Sequence, residues 1–118
     1  MAKIMVVDDS RFMRLTLKNM LENNGHQVVG EAENEAEAVV KYTALKPDIV
    51  TMDIIMPVES GITAVKKIIA LDPAAKIIMV SAMGQEKILE DAKQAGAKGF
   101  VVKPVKQAEL AEAIKKIL

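Results

Sequence analysis

Ile4-Met5-Val6-Val7-Asp8-Asp9 is the stretch on which the fold turns: four apolar residues, three of them β-branched, run without polar alternation into a pair of carboxylates. A strand apolar on both sides is one covered on both faces, as in a parallel sheet sandwiched between helices. Working outward, the same arrangement recurs three times. Residues 49–52 end at Asp53, residues 77–80 at Ser81, and residues 100–102 at Lys103, which Pro104 follows. Parallel strands place their carboxyl ends on one edge, with neighbours ~4.8 Å apart. Three carboxylates, a hydroxyl and an ammonium therefore converge there, with room for one hard cation and one phosphoryl group.

Between these runs the apolar residues take helical spacing. Met13, Leu17, Met20 and Leu21 share one face, as do Ala36, Val39, Val40 and Thr43, and then Leu110, Ala113, Ile114, Ile117 and Leu118. Further helices are expected over 63–71 and 86–95. Gly25 and Gly96 stand where a left-handed residue ends a helix, and Asn34 with Glu37 has capping-box spacing. Five strand/helix pairs result, which predicts an α/β fold with a doubly wound, five-stranded parallel sheet. Right-handed crossovers and a reversal of winding open a crevice beyond the strand ends, and the first and third strands should flank it.

The 118 residues fit one domain, expected to span 1–118 without a separate output domain. Lys+Arg and Asp+Glu both number 16, so no excess positive charge draws the chain to nucleic acid. Cysteine is absent, which removes disulfides, thiolate metal sites and a cysteine nucleophile. No apolar stretch approaches the ~18 residues of a membrane span and no signal-peptide core follows Met1, so the protein is expected to be cytoplasmic.

Taken singly, each polar endpoint has a plain structural reading. Asp8-Asp9 could be a turn with Ser10 as helix cap, Asp53 a strand terminator, Ser81 a strand-end cap and Lys103 a solvated side chain. Their coincidence changes the reading. Three carboxylates in a crevice of low dielectric repel one another, so either one takes a proton or a cation neutralises them. The ligands would be oxygen only, with His26, the single histidine, far from these strand ends at the surface before the second strand. That donor set favours Mg²⁺ or Mn²⁺ over zinc or copper. Magnesium keeps several waters and accepts a phosphate oxygen, Lys103 offers a counter-charge to that oxygen, and Ser81 offers a donor.

The ordered set Val7-Asp8-Asp9-Ser10-Arg11-Phe12-Met13-Arg14, Met52-Asp53-Ile54-Ile55-Met56-Pro57, Val80-Ser81-Ala82-Met83-Gly84-Gln85 and Val102-Lys103-Pro104 resembles response-regulator receiver domains of the stand-alone chemotaxis type over essentially the whole chain. The resemblance implies the flavodoxin-like strand order 2-1-3-4-5. It implies Asp53 as the nucleophile that takes a phosphoryl group from a phosphohistidine on a sensor kinase. Asp9, Asp53 and the Ile55 carbonyl would hold Mg²⁺, with Asp8 acting through water. Lys103 and Ser81 would contact the phosphoryl oxygens after transfer. Phe100 falls where the family carries an aromatic switch residue, although it could equally be a space-filling strand aromatic. Ile55 and Met83 fall near the path of the hydrolytic water, and Pro104 where the family carries a cis-proline.

The implied protein is a monomeric two-component phosphoprotein that catalyses its own phosphorylation and dephosphorylation without being a dedicated enzyme. Its partners would be the kinase, a flagellar motor switch protein and a phosphatase, with neither nucleic acid nor membrane among them. The output surface, with Phe100 central and Lys106, Lys115 and Lys116 around it, is expected to be apolar in the middle and basic at the rim. A phosphorelay intermediate or phosphate sink is an alternative of the same class. A small Mg²⁺-dependent phosphohydrolase with an Asp nucleophile is one of another class, but the Asp-x-Asp spacing is missing, since Asp9 is followed by Ser10-Arg11. A flavin carrier would need a Ser/Thr/Gly-rich phosphate loop after the first strand, and there is none.

Overall fold

The computed structural model describes residues 2–55 and 60–118; Met56 and Pro57 of the quoted motif lie outside them. Strands and helices alternate throughout: β1 (Lys3–Val7), α1 (Arg11–Asn23), β2 (Gln27–Ala32), α2 (Glu35–Leu45), β3 (Ile49–Asp53), α3 (Gly61–Leu71), β4 (Ile77–Ser81), α4 (Glu86–Ala95), β5 (Gly99–Val102) and α5 (Gln107–Ile117). The strands form one parallel sheet in the order β2-β1-β3-β4-β5, as the family resemblance implied.

Strand alternation divides the core in two. Ile4, Val6, Ile49, Ile78, Val80 and Val101 pack with Leu17 and Leu21 of α1 and Leu110 and Ile114 of α5. Met5, Val7, Val50, Met52, Ile77 and Met79 pack with Ala38 and Tyr42 of α2, Ala64, Val65 and Ile68 of α3, and Ala92 and Ala95 of α4. Both faces are thus covered, which is why the strands read as unbroken apolar runs. Each large side chain fully withdrawn from water contributes about 1.5–3 kcal/mol before entropy is counted.

Local signals start and stop the helices. Ser10 Oγ accepts from Met13 N–H at 3.2 Å, Asn34 Oδ1 from Glu37 N–H at 2.9 Å, and Ser60 Oγ from Ile62 N–H at 3.1 Å, capping α1, α2 and α3. Gly25 and Gly96 carry φ of 85° and 117°, as expected of helix-ending glycines, and Lys46 after α2 is left-handed as well, with φ of 47°.

Three expectations need correction. The inward face of α2 is not the whole set Ala36, Val39, Val40 and Thr43: Glu35, Ala38 and Tyr42 are buried and Val39 packs half-buried against the core, whereas Val40 is 69% exposed and Ala36 and Thr43 face solvent. The helix carries apolar residues all round, so its sequence supports two phases, and Tyr42 selects one by bonding Asp72 Oδ2 at 2.7 Å. Burial and that bond push the Tyr42 hydroxyl far above its ordinary pKa. Leu118 lies past the end of α5 and is exposed. His26 is half-buried, because its Nδ1 accepts from Ala2 N–H at 3.0 Å where β1 begins, and burial lowers its pKa.

Candidate functional site

The crevice lies at the carboxyl edge where the sheet reverses its winding. β1 sits between β2 and β3, and the chain turns away from each neighbour to opposite sides. Pairing of β1 with β3 sets Asp8 and Asp53 just past the last paired residues, Val7 and Met52. One oxygen from each of Asp8, Asp9 and Asp53 lies within 4.8 Å of the others. Asp8 and Asp53 are buried, at 1% and 5% exposure, and Asp9 is exposed at the mouth.

Lys103 reaches the cluster from the far side of the sheet. Its backbone N–H donates to Ser81 O at 2.8 Å, extending the β4–β5 ladder, and the Lys103-Pro104 bond is cis. Its Nζ lies 3.0 Å from Asp8 Oδ2 and 3.7 Å from Asp53 Oδ1. One ammonium thus pairs with two of the three carboxylates, and Asp9 enters no ion pair with it. Burial first, then the charge of Asp8, push the Asp53 carboxyl up to about 6 from an ordinary 3.8, against the opposing pull of Lys103 and the Ile55 N–H. An all-oxygen donor set with uncompensated negative charge fits a hard divalent cation, and the residues able to hold it are Asp8, Asp9 and Asp53.

Ser81 reaches the same edge fully buried, but its hydroxyl oxygen accepts from Met83 N–H at 3.1 Å. The hydroxyl is thereby turned into the loop between β4 and α4 and does not bond Asp53. Ile55 is 54% exposed at the rim, and Met83 is half-buried. Phe100 is half-buried against the core on the α4 side of the sheet. It also lines a groove of about 680 Å³ between β5 and α5, together with Lys98, Glu109, Glu112 and Lys116. Those charges are mixed, so the basic rim expected around Phe100 is corrected to one in which glutamates of α5 stand among the lysines.

Two residues that shape the site carried no role in the sequence reading. Gly61 N–H donates to Ile54 O at 2.7 Å, and a Cβ on Gly61 would fall 1.9 Å from the Asp53 carbonyl oxygen, so only glycine lets α3 start this close to the end of β3. The Ser60-Gly61 pair before an apolar helix was the available signal. Arg14 donates from Nη1 to Asp8 O at 2.7 Å and from Nε to Glu31 Oε1 at 2.9 Å. Those partners lie six and 17 residues away, beyond the reach of local pattern.

Comparison with known proteins agrees with this geometry. The response regulator receiver domain family matches residues 4–115. The chain is 54% identical over 116 residues to the chemotaxis protein CheY of Bacillus subtilis, covering 98% of this chain and 97% of that one. It is 51% identical over 115 residues to chemotaxis protein CheY of Thermotoga maritima, covering 98% and 96%. Among solved structures, the CheX-CheY-BeF3-Mg²⁺ complex from Borrelia burgdorferi matches with a TM-score of 0.94 at 36% identity, over 98% of this chain and 87% of that one.

Proposed function

The chain belongs to the response regulator receiver domain family, and on that premise we propose that it is a phospho-acceptor switch of the chemotaxis type, with Asp53 as the acceptor. The observation that carries this reading is the cluster itself: a buried carboxylate at a strand end, two more within 4.8 Å, and one ammonium between them. In the transfer, an Asp53 oxygen attacks the phosphorus of a phosphohistidine on a sensor kinase. The phosphorus–nitrogen bond breaks and its pair goes to that ring nitrogen; with the phosphohistidine ring protonated at its other nitrogen, the leaving group is neutral imidazole, so the receiver supplies no proton. Asp53 must be ionised to attack, and with its pKa raised only to about 6 it is so at neutral pH.

Transfer of this kind is loose and dissociative, and it depends on positioning and charge neutralisation more than on acid/base chemistry. Asp9, Asp53 and the Ile55 carbonyl would hold Mg²⁺, with Asp8 acting through water, and Mn²⁺ suits the same donors. The bound cation would neutralise the carboxylates and the phosphoryl oxygens together. Lys103, already aimed at Asp8 and Asp53, would turn one of its donors to a phosphoryl oxygen. Ser81 would exchange its bond with Met83 for another, drawing the loop after β4 inward. Phe100 would adjust by packing alone, since it has no hydroxyl.

The output is binding by the surface of α4, β5 and α5, in the cytoplasm, to a partner such as a flagellar motor switch protein. Phosphorylation would bias a pre-existing equilibrium of that surface. The test is intact mass after incubation with Mg²⁺ and a small acyl-phosphate donor. The wild type should gain one phosphoryl group, labile to hydroxylamine, and Asp53→Asn should gain none. A labile adduct on Asp53→Asn would remove Asp53 from its role.

A further inference from the structure

We propose that Arg14, oriented by Glu31, is a positioning residue for the acid turn: its guanidinium fixes the Asp8–Asp9 peptide and so sets the direction from which Asp9 meets a cation. The inference rests on the cation reading given above and deepens it.

Asp8 is tied at every polar atom. Its N–H donates to Ala32 O at 3.0 Å. Its Oδ1 accepts from Ser10 N–H at 2.9 Å, and its Oδ2 from Lys103 Nζ at 3.0 Å. Its carbonyl oxygen accepts from Arg14 Nη1 at 2.7 Å. That carbonyl belongs to the planar peptide joining Asp8 to Asp9, so holding it fixes where Asp9 leaves the chain.

Among the described residues Asp9 has no side-chain partner of its own; its backbone is bracketed only by the Arg14 contact on one side and the Ser10 N–H bond to Asp8 Oδ1 on the other. It is exposed, and its carboxylate enters none of the ion pairs among the described residues. Asp8 and Asp53, by contrast, are buried and share Lys103. The backbone of the turn must therefore do for Asp9 what side-chain partners do for the other two.

The clasp has the means to do this. Arg14 is only 13% exposed, and its two engaged nitrogens point to different elements, Nη1 to the end of β1 and Nε to Glu31 on β2. The backbone of Glu31 is held in turn, since Lys41 Nζ donates to its carbonyl at 2.5 Å. Glu31, at 41% exposure, leaves its side of the pair open to solvent screening, so the main consequence of the contact lies in orientation. Lysine could keep the charge at position 14 but not the fork that serves both partners at once.

The experiment titrates Mn²⁺ into the full chain by electron paramagnetic resonance or calorimetry, for the wild type, Arg14→Gln, Arg14→Lys, Glu31→Gln and, as control, Asp9→Asn. Both Arg14 variants should bind Mn²⁺ roughly tenfold more weakly, the scale on which groups that orient metal ligands act, and Glu31→Gln about threefold more weakly. In metal-free protein, the Asp9 amide signal should shift in the Arg14 variants while signals from β3 to β5 stay in place, which a general loss of stability would not produce. Wild-type affinity, within twofold, in Arg14→Lys and Glu31→Gln would overturn the clasp while leaving the cation site standing, provided Asp9→Asn is weakened. Unweakened binding by Asp9→Asn would overturn both. Should Arg14→Gln fail to fold, the lysine and Glu31 variants carry the test.

Discussion

Neutralising Asp53 should stabilise the metal-free protein, and the size of the effect follows from the pocket. Asp53 is buried beside Asp8, and its carboxyl stands at about 6 in the folded chain against 3.8 ordinarily. Between those values the folded state holds a proton that the unfolded state has lost. Unfolding free energy therefore falls as pH rises through that window, and the loss is complete by about pH 7. A shift of about two units corresponds to about 3 kcal/mol at most. The exposed mouth at Asp9 lets water screen part of this, so about 1–3 kcal/mol is expected.

Asp53→Asn removes the charge and keeps the shape, together with an oxygen to accept the Ile55 N–H. In chelator at pH 7.5 it should be more stable than wild type by that amount, or about 4–12 °C in melting temperature. The advantage should shrink to about half at pH 5, midway between 3.8 and about 6, and should fade only below the ordinary value, where Asp53 is protonated in both states. Added Mg²⁺ should close the gap at pH 7.5 by stabilising only the protein that binds it. Urea denaturation at both pH values, with and without the metal, measures all three. An Asp53→Asn protein that is less stable in chelator at pH 7.5, or whose advantage does not depend on pH, would refute the electrostatic account.

Gly61→Ala should cost more than about 3 kcal/mol, because its Cβ would lie 1.9 Å from the Asp53 carbonyl and the obstacle is backbone; a loss under 1 kcal/mol in urea would show that α3 moves aside freely. Ile55, at the rim, cannot orient a water, so phosphorylated protein should lose its group slowly and Ile55→Asn should lose it faster; unchanged or slower decay in that variant, followed by intact mass, would show that the side chain is not limiting. Beryllofluoride with Mg²⁺ should tighten binding of an N-terminal motor-switch peptide, and Phe100→Ala should reduce that coupling by ~1 to 3 kcal/mol. Equal peptide affinity with and without the mimic, measured by calorimetry, would remove the peptide as a phosphorylation-dependent partner.

The sandwich was legible in the sequence because its evidence is local. Residues 4–7, 49–52 and 77–80 are apolar on both sides of a period-two strand, which only a doubly covered sheet satisfies. Caps such as Ser10 and Asn34 act within one helical turn, and the placement of Asp8, Asp53, Ser81 and Lys103 on one edge follows from parallel strands alone. Tertiary contacts decided the rest. The phase of α2 was open because both of its faces are apolar, until Tyr42 met Asp72, 30 residues away. The turn of the Ser81 hydroxyl toward Met83, the approach of Gly61 to Asp53 and the reach of Arg14 to Asp8 and Glu31 depend on where loops and helices settle in three dimensions. Sequence periodicity reports which residues must avoid water; it does not report which polar group each side chain will meet once they have done so.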